Sequence, residues 1–291
     1  MNLYNYKINY LFMNNKVFIT LSCYDCSNIT SPFYIKHKNT GVGNILFQIS
    51  SGLSYAKENN ATLYVPALNT YFKLEELNKE NTIFKKINTD FVDGYDKTKI
   101  YDFLNLDVFS LPFVNNIHFK GYLEDYNNFN KHKSLILDYF RPTEETNHYL
   151  YNKYPFIKDE NISSIHIRMG PDFQLLFSTQ TKNEWILSYY KLIDHMINIK
   201  QVNSFLVLTN DPEYCKQILN CEKYKNIIFY YSDEIHAFND VWLMSLIKNN
   251  IISCSTLAWW GSYLNENKNK YIIGSTNDVR NNLKYKEWNY I

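Results

Sequence analysis

The chain has 291 residues, 45% hydrophobic and 20% charged, with 30 Lys and Arg against 29 Asp and Glu. That length supports two modest domains or one large one with buried cores, and the balance is that of a globular protein. A net charge of +1 excludes a general attraction to nucleic acid or anionic lipid, and no apolar run approaches the ~20 residues of a membrane span.

The first sixteen residues are interrupted by Asn and Lys and lack a small-residue cleavage site. They are not read as a signal peptide, so a soluble, cytoplasmic protein is expected. Residues 16–22 (KVFITLS) predict a strand. A polar stretch, 23–40, follows and contains Cys23 and Cys26 at CxxC spacing, with no second pair at zinc-like spacing. With Cys215, Cys221 and Cys254 the cysteine count is odd, which implies free thiols. Gly41-Val-Gly43-Asn44 then precedes a helical run at 45–60, with Leu46, Ile49, Leu53 and Ala56 in helical spacing. A strand at 61–66 completes a strand, glycine turn, helix and strand, the βαβ unit of an α/β protein.

Residues 67–115 show no clear pattern. A strand is predicted at 117–122, then the acidic corner Glu124-Asp125 and a helix over 126–139 ended by Arg141-Pro142. From 143 onward the pattern is regular. Helices are predicted at 143–153, 183–199, 212–220, 237–249 and 257–264, and strands at 163–168, 204–209, 226–231, 251–254 and 271–274. Alternation of this kind implies a parallel sheet with ligands at the carboxyl ends of its strands. The domain join falls near 141–160, dividing the chain into residues 1–150 and 151–291.

Several strand ends carry chemistry. His166 and Arg168 alternate along one strand, and a guanidinium beside Gly170 suits an anion such as a phosphate. A structural salt bridge is the plainer reading of Arg168, and a satisfied strand histidine that of His166. Asp172 is placed to orient Arg168, to bond a sugar hydroxyl or to accept a proton; orientation is preferred, because an Asp beside an Arg stays ionised. Ser255 and Thr256 stand where a hydrophobic strand turns into a helix, a position that suits an N-cap and a phosphate alike. Of the adjacent Trp259 and Trp260, one is expected in the core and the other on a cleft. Thr209-Asn210-Asp211 is placed to meet a base or ribose, although strand-to-helix loops favour such residues anyway. The 41–44 segment has the outline of a phosphate loop but is neither GxGxxG nor Walker-like, which disfavours dinucleotides. Asp240 reads as a first-turn acid stabilised by the helix dipole. No paired-carboxylate metal motif is found. The 26 Tyr and 19 Phe follow from the same AT-rich coding that enriches Asn, Lys and Ile, with carbohydrate stacking as a second reading.

Taken together, five segments resemble, in order, the motifs of the α-1,2-fucosyltransferases, glycosyltransferase family 11. They are GVGNILFQISSGLSYAKENN, FKGYLEDYNNF, SIHIRMGPDF, FLVLTNDPEYCK and DVWLMSLIKNNIISCSTLAWWGSYLN, with the tail KEWNYI also similar. The resemblance implies a GT-B-like fold of two Rossmann-like domains with parallel sheets, an acceptor-side domain first and a nucleotide-sugar domain second. It further implies inverting, metal-independent transfer of L-fucose from GDP-fucose to a galactoside hydroxyl, with no cofactor. Position by position, Arg168 would hold the β-phosphate, with His166 and Asp172 shaping that pocket. Asn210 and Asp211 would lie near guanosine, Ser255 and Thr256 near the pyrophosphate. Gly43 and Asn44 join the donor-site candidates, and Glu124 and Asp125 those for acceptor deprotonation.

The sequence departs from the family at defined points. The second arginine of the HxRR pattern is Met169, Pro171 is inserted before Asp172, the glycine motif carries Ile45 for Gln, and Cys254 replaces an Asn. Loss of one cation costs on the order of 10²–10³ in rate where nothing replaces it. Another nucleotide-sugar donor, or a non-catalytic glycan-binding homologue, are the rival readings.

Overall fold

A computed structural model describes residues 15–20, 41–72, 78–92, 99–102, 107–169 and 178–291. The chain divides into two compact units, one of residues 1–24 and 45–139, the other of residues 25–44 and 140–291.

The first unit carries β1 (Asn15–Thr20), β2 (Ala61–Tyr64), β3 (Lys99–Asp102) and β4 (Ile117–Lys120) in the order β2-β1-β4-β3, every pair parallel. β1 therefore stands inside the sheet, and Val17, Phe18 and Ile19 are wholly buried, as a near-continuous apolar run requires. Helix α1 (Val42–Glu58) precedes β2; from Ile45 on it belongs to this unit, and residues 42–44 belong to the other. Its apolar spacing predicted one buried face. Instead Ile45 through Ala56 are all buried, Gln48, Ser50, Ser51 and Ser54 included. Gly52 permits close packing on the sheet, since a Cβ there would meet Ile19 at 2.8 Å and Leu63 at 3.0 Å. The patternless stretch contains α2 (Ala67–Phe72) and the edge strand β3. The helix expected over 126–139 is shorter: two 3₁₀ turns, Tyr126–Asn128 and Asn130–His132, precede α3 (Lys133–Phe140). Asp125 starts the first of these turns by accepting from Asn127 N–H at 2.9 Å.

The second unit holds α4 (Glu144–Lys153), β5 (Ile162–Ile167), α5 (Thr179–Lys200), β6 (Ser204–Thr209), α6 (Pro212–Leu219), β7 (Ile228–Tyr231), α7 (Ala237–Leu246), β8 (Asn249–Ile252), α8 (Thr256–Tyr263), β9 (Tyr271–Gly274) and β10 (Asn289–Tyr290). Its sheet runs β10-β9-β8-β5-β6-β7, all parallel. The chain thus starts in the middle, builds outward through β6 and β7, then returns to the other side of β5. That order is Rossmann-like, with its topological switch between β5 and β8.

β8 begins two residues before its predicted start, and α7 ends three before its predicted stop. The reason is a buried polar lattice that apolarity alone does not signal. Asn250 Nδ2 donates to Ser164 Oγ at 2.6 Å and to the Met244 carbonyl at 2.9 Å, and Asn265 Nδ2 donates to Asn250 Oδ1 at 2.9 Å. Each buried amide finds its partners, so burial is tolerated. Trp259 and Trp260 are both buried, against the expectation that one would face a cleft. They join Tyr263, Tyr285 and Trp288 in one aromatic cluster. Each such side chain contributes about 1.5–3 kcal/mol by burial, so in this cluster the aromatic excess serves the core. Among the described residues, no helix is long and apolar enough to cross a membrane.

Candidate active site

β5 and β8 pair with Ile165 opposite Ile251, so the segments that leave their carboxyl ends start side by side. β5 ends at Ile167, one residue short of the predicted strand, and Arg168 is the first residue beyond it, exposed. Strand alternation therefore does not set its direction. Met169, next in the chain, is buried in the core under α5. His166 lies within the strand, also buried, and its Nδ1 has no hydrogen-bond partner. Burial first, and then the Arg168 charge, pull its pKa down to about 3. The imidazole is accordingly neutral at physiological pH, and the positive charge at this strand end is that of the guanidinium. Asp172 lies outside the described residues, as do Cys23 and Cys26.

Beyond β8 the chain makes the short turn Ser253-Cys254-Ser255 into α8. Ser255 is the N-cap, its hydroxyl accepting from Leu257 N–H at 3.3 Å, and Ser253 Oγ accepts from Ser255 N–H at 3.3 Å. Thr256 Oγ1 donates to Asn44 Oδ1 at 2.6 Å. Both hydroxyls read as phosphate contacts thus have protein partners. What α8 offers an anion is the backbone N–H groups of its first turn and the positive end of its dipole.

Gly43 and Asn44 are not a loop, because α1 already begins at Val42. Their place is against α8: a Cβ on Gly43 would stand 2.5 Å from the Thr256 carbonyl carbon and 2.6 Å from Leu257 N. Only glycine permits this approach, which lies within the second unit, to which residues 25–44 belong.

Three site residues were not singled out from the sequence. Tyr189, read as one of the apolar-face residues of α5, hydrogen-bonds the Ser253 side chain and the Arg168 backbone, tying the two strand ends together. Burial, chiefly, raises its pKa above the ordinary phenol range, so it stays neutral. Asp278 and Arg280 follow β9, whose end pairs with that of β8, Gly274 opposite Ile252. Burial first, and then the Asp278 charge, push the Cys254 thiol up to about 11, against the opposing fields of Arg168 and Arg280. It is not a nucleophile at neutral pH. Nothing in a single sequence marks these three, since their proximity is created by strand order.

Farther along the same edge, Asp211 caps α6 by accepting from Tyr214 N–H at 3.1 Å, and the preceding Asn210 is exposed. After β7 an acidic corner gathers. Lys153 Nζ reaches Asp233 at 2.9 Å and Glu234 at 2.8 Å, and Asn239 Nδ2 donates to Glu234 at 2.7 Å. Ser232 Oγ donates to Asp240 Oδ1 at 2.6 Å. Burial raises the Asp240 carboxyl to about 7, more than that hydrogen bond lowers it. Asp240 stands in the first turn of α7, as the dipole reading expects, and burial adds a desolvation that keeps its proton on to about pH 7. In the first unit, Glu124 is buried and follows Leu123, whose φ of 50° is left-handed and costs about 1–2 kcal/mol in a non-glycine residue.

Two grooves, of about 440 and 380 Å³, lie elsewhere in the second unit. One follows α6 and β7 past Lys216, Tyr224 and Tyr231, the other is at the opposite end of β5 beside Asp159 and Lys248. Among the described residues, no group of three or more His, Cys, Asp or Glu side chains is placed to hold a metal ion.

Two units, each built on a parallel sheet flanked by helices, make this a GT-B-like α/β protein. The chain belongs to glycosyl transferase family 11, whose pattern matches residues 71–291, and is a glycosyltransferase. It is similar to an alpha-1,2-colitosyltransferase of Escherichia coli, 28% identical over 77% of this chain and 84% of that protein. A second relative from the same organism, the O-antigen biosynthesis glycosyltransferase WbnK, is 26% identical over 65% of this chain and 64% of its own. The fold is shared with POFUT1 in complex with GDP, at TM-score 0.51, 11% identity and coverage of 89% and 97%. It is shared equally with the fucosyltransferase NodZ from Bradyrhizobium, at TM-score 0.51, 12% identity and coverage of 86% and 93%.

Proposed function

We propose that this chain is an inverting, metal-independent α-1,2-fucosyltransferase of the cytoplasm that moves L-fucose from GDP-fucose to a galactoside hydroxyl. The observation that carries the reading is an exposed Arg168 at the switch point, beside the first turn of α8. In the proposed reaction the acceptor oxygen bonds to the anomeric carbon from the face opposite the diphosphate. The bond from that carbon to the phosphate oxygen breaks, GDP leaves with the electron pair, and the acceptor proton is lost to a base or to water. Arg168 and the helix mouth stabilise the charge that grows on the diphosphate. Buried, neutral His166 is assigned to shaping the site beneath Arg168, and Asn210 and Asp211 to the guanosine side. Asp172, Glu124 and Asp125 are the candidates for easing acceptor deprotonation.

A colitosyl donor in place of fucosyl is the second reading, favoured by the name of the 28% identical relative. The test is transfer to a panel of β-galactosides from GDP-fucose, with and without EDTA. GDP release that survives EDTA and is abolished in Arg168→Ala supports the proposal. A strict metal requirement, or binding of galactosides with neither transfer nor stabilisation by any nucleotide, contradicts it.

A further inference from the structure

We propose that Arg280 is a second diphosphate-binding cation of the donor site, meeting the anion from the β9 side while Arg168 meets it from β5. The inference rests on the donor-site reading above. β8 lies between β5 and β9, with Ile165 opposite Ile251 and Ile252 opposite Gly274. The segments carrying Arg168, Cys254 and Arg280 therefore leave three adjacent strands at one edge.

The segment after β9 is pinned on both sides of Arg280. Val279 is buried, close enough to β9 that a Cβ on Gly274 would lie 3.1 Å from it, and its N–H donates to the Ser275 carbonyl at 3.2 Å. Three residues past Arg280, the Leu283 carbonyl accepts the Trp259 indole N–H at 2.8 Å. Trp259 belongs to α8, so Arg280 rides on a segment anchored to the helix whose first turn attracts anions. Its side chain is exposed, whereas Val279 between it and Asp278 faces the core. The Cys254 thiol at the centre of the turn lies in the fields of Arg168 and Arg280 together, with Asp278 the carboxylate that faces it. A departing diphosphate bears more charge than one guanidinium neutralises, and buried Met169 brings none.

The test is a melting-temperature titration with GDP and GMP of the wild type, Arg280→Ala, Arg280→Lys and, as reference, Arg168→Ala. Arg280→Ala is expected to bind GDP about 10–100-fold more weakly, with GMP, which lacks the second phosphate, changed by less than about 3-fold. Arg280→Lys is expected to recover part of the loss. Unchanged GDP binding in Arg280→Ala, or equal weakening of both nucleotides, overturns the inference while leaving the donor site standing. A wild type that GDP does not stabilise overturns the donor-site reading, and this inference with it.

Discussion

Two stretches of one sheet edge use charge in opposite ways. Beyond β5, β8 and β9 stand two exposed arginines, a neutral histidine and a helix mouth, with backbone and hydroxyl groups holding the frame. Beyond β7, three carboxylates and Lys153 are bonded to one another and to Tyr154, Ser232 and Asn239. Burial pushes Glu234 up, but its bonds to Lys153 and Asn239 outweigh that and hold it below the ordinary carboxylate range. Lys153 is likewise raised despite its desolvation. The acidic corner has satisfied its charges internally and acts as a structural clasp between α4 and the β7–α7 loop. The cationic edge keeps two guanidinium groups exposed to solvent, within reach of an anionic ligand.

The comparison can be broken at either end. The largest effect is expected from Arg168→Ala, which should lower transfer by about 10²–10³ while leaving the unliganded melting temperature within a degree or two. Steady-state rates and a thermal scan check both. A large loss of stability would instead assign Arg168 to the frame. Next is Gly43→Ala: a Cβ at 2.5 Å from the Thr256 backbone forces α8 or α1 to shift. Overpacking of that kind costs about 1–3 kcal/mol and should weaken nucleotide binding as well, measurable by urea unfolding and GDP titration.

Smaller effects sharpen the contrast. Asp240 keeps its proton to about pH 7 when folded, while an unfolded Asp releases it near 4. The folded state therefore binds more protons across that window, and this group's contribution falls as pH rises through it. Asp240→Asn should become progressively more stable relative to wild type between pH 4 and 7, the gap widening across the whole of that window. His166 acts in the opposite sense. Its folded pKa of about 3 lies below the unfolded value, so its contribution is present above about 6.5 and lost as pH falls. A pH series of melting temperatures for wild type and variant reads the difference directly. Tyr189→Phe removes only the phenol bonds to Ser253 and Arg168, so a loss of about 1 kcal/mol is expected, with weaker GDP binding at unchanged core packing.

How much of this was legible in the sequence depended on whether the signal was local. Strands of β-branched and aromatic residues followed by amphipathic helices announced β5 through β9 almost residue by residue, because each element declares itself within a few positions. β3 carries Lys99 and Asp102 in four residues at a sheet edge, and β10 is two residues long, so neither had a pattern to show. α1 misled in a different way: apolar spacing marked one face, yet its serines are buried too. Arg168 and the α8 start were legible because each sits at a strand-to-helix junction with suitable chemistry. Tyr189, Asp278 and Arg280 were not, since only the order β9-β8-β5 brings them to the same place. The hydroxyls of Ser255 and Thr256 illustrate the reverse case: they stand at the strand-to-helix turn the sequence marks, and their bonds are made to protein.

The most direct test of the donor site is a crystal structure with GDP bound. Both phosphates should lie within hydrogen-bond distance of Arg168 and of the amides opening α8. A nucleotide seated along the acidic corner, in the α6–β7 groove, or anywhere that leaves the diphosphate clear of Arg168 would contradict the account.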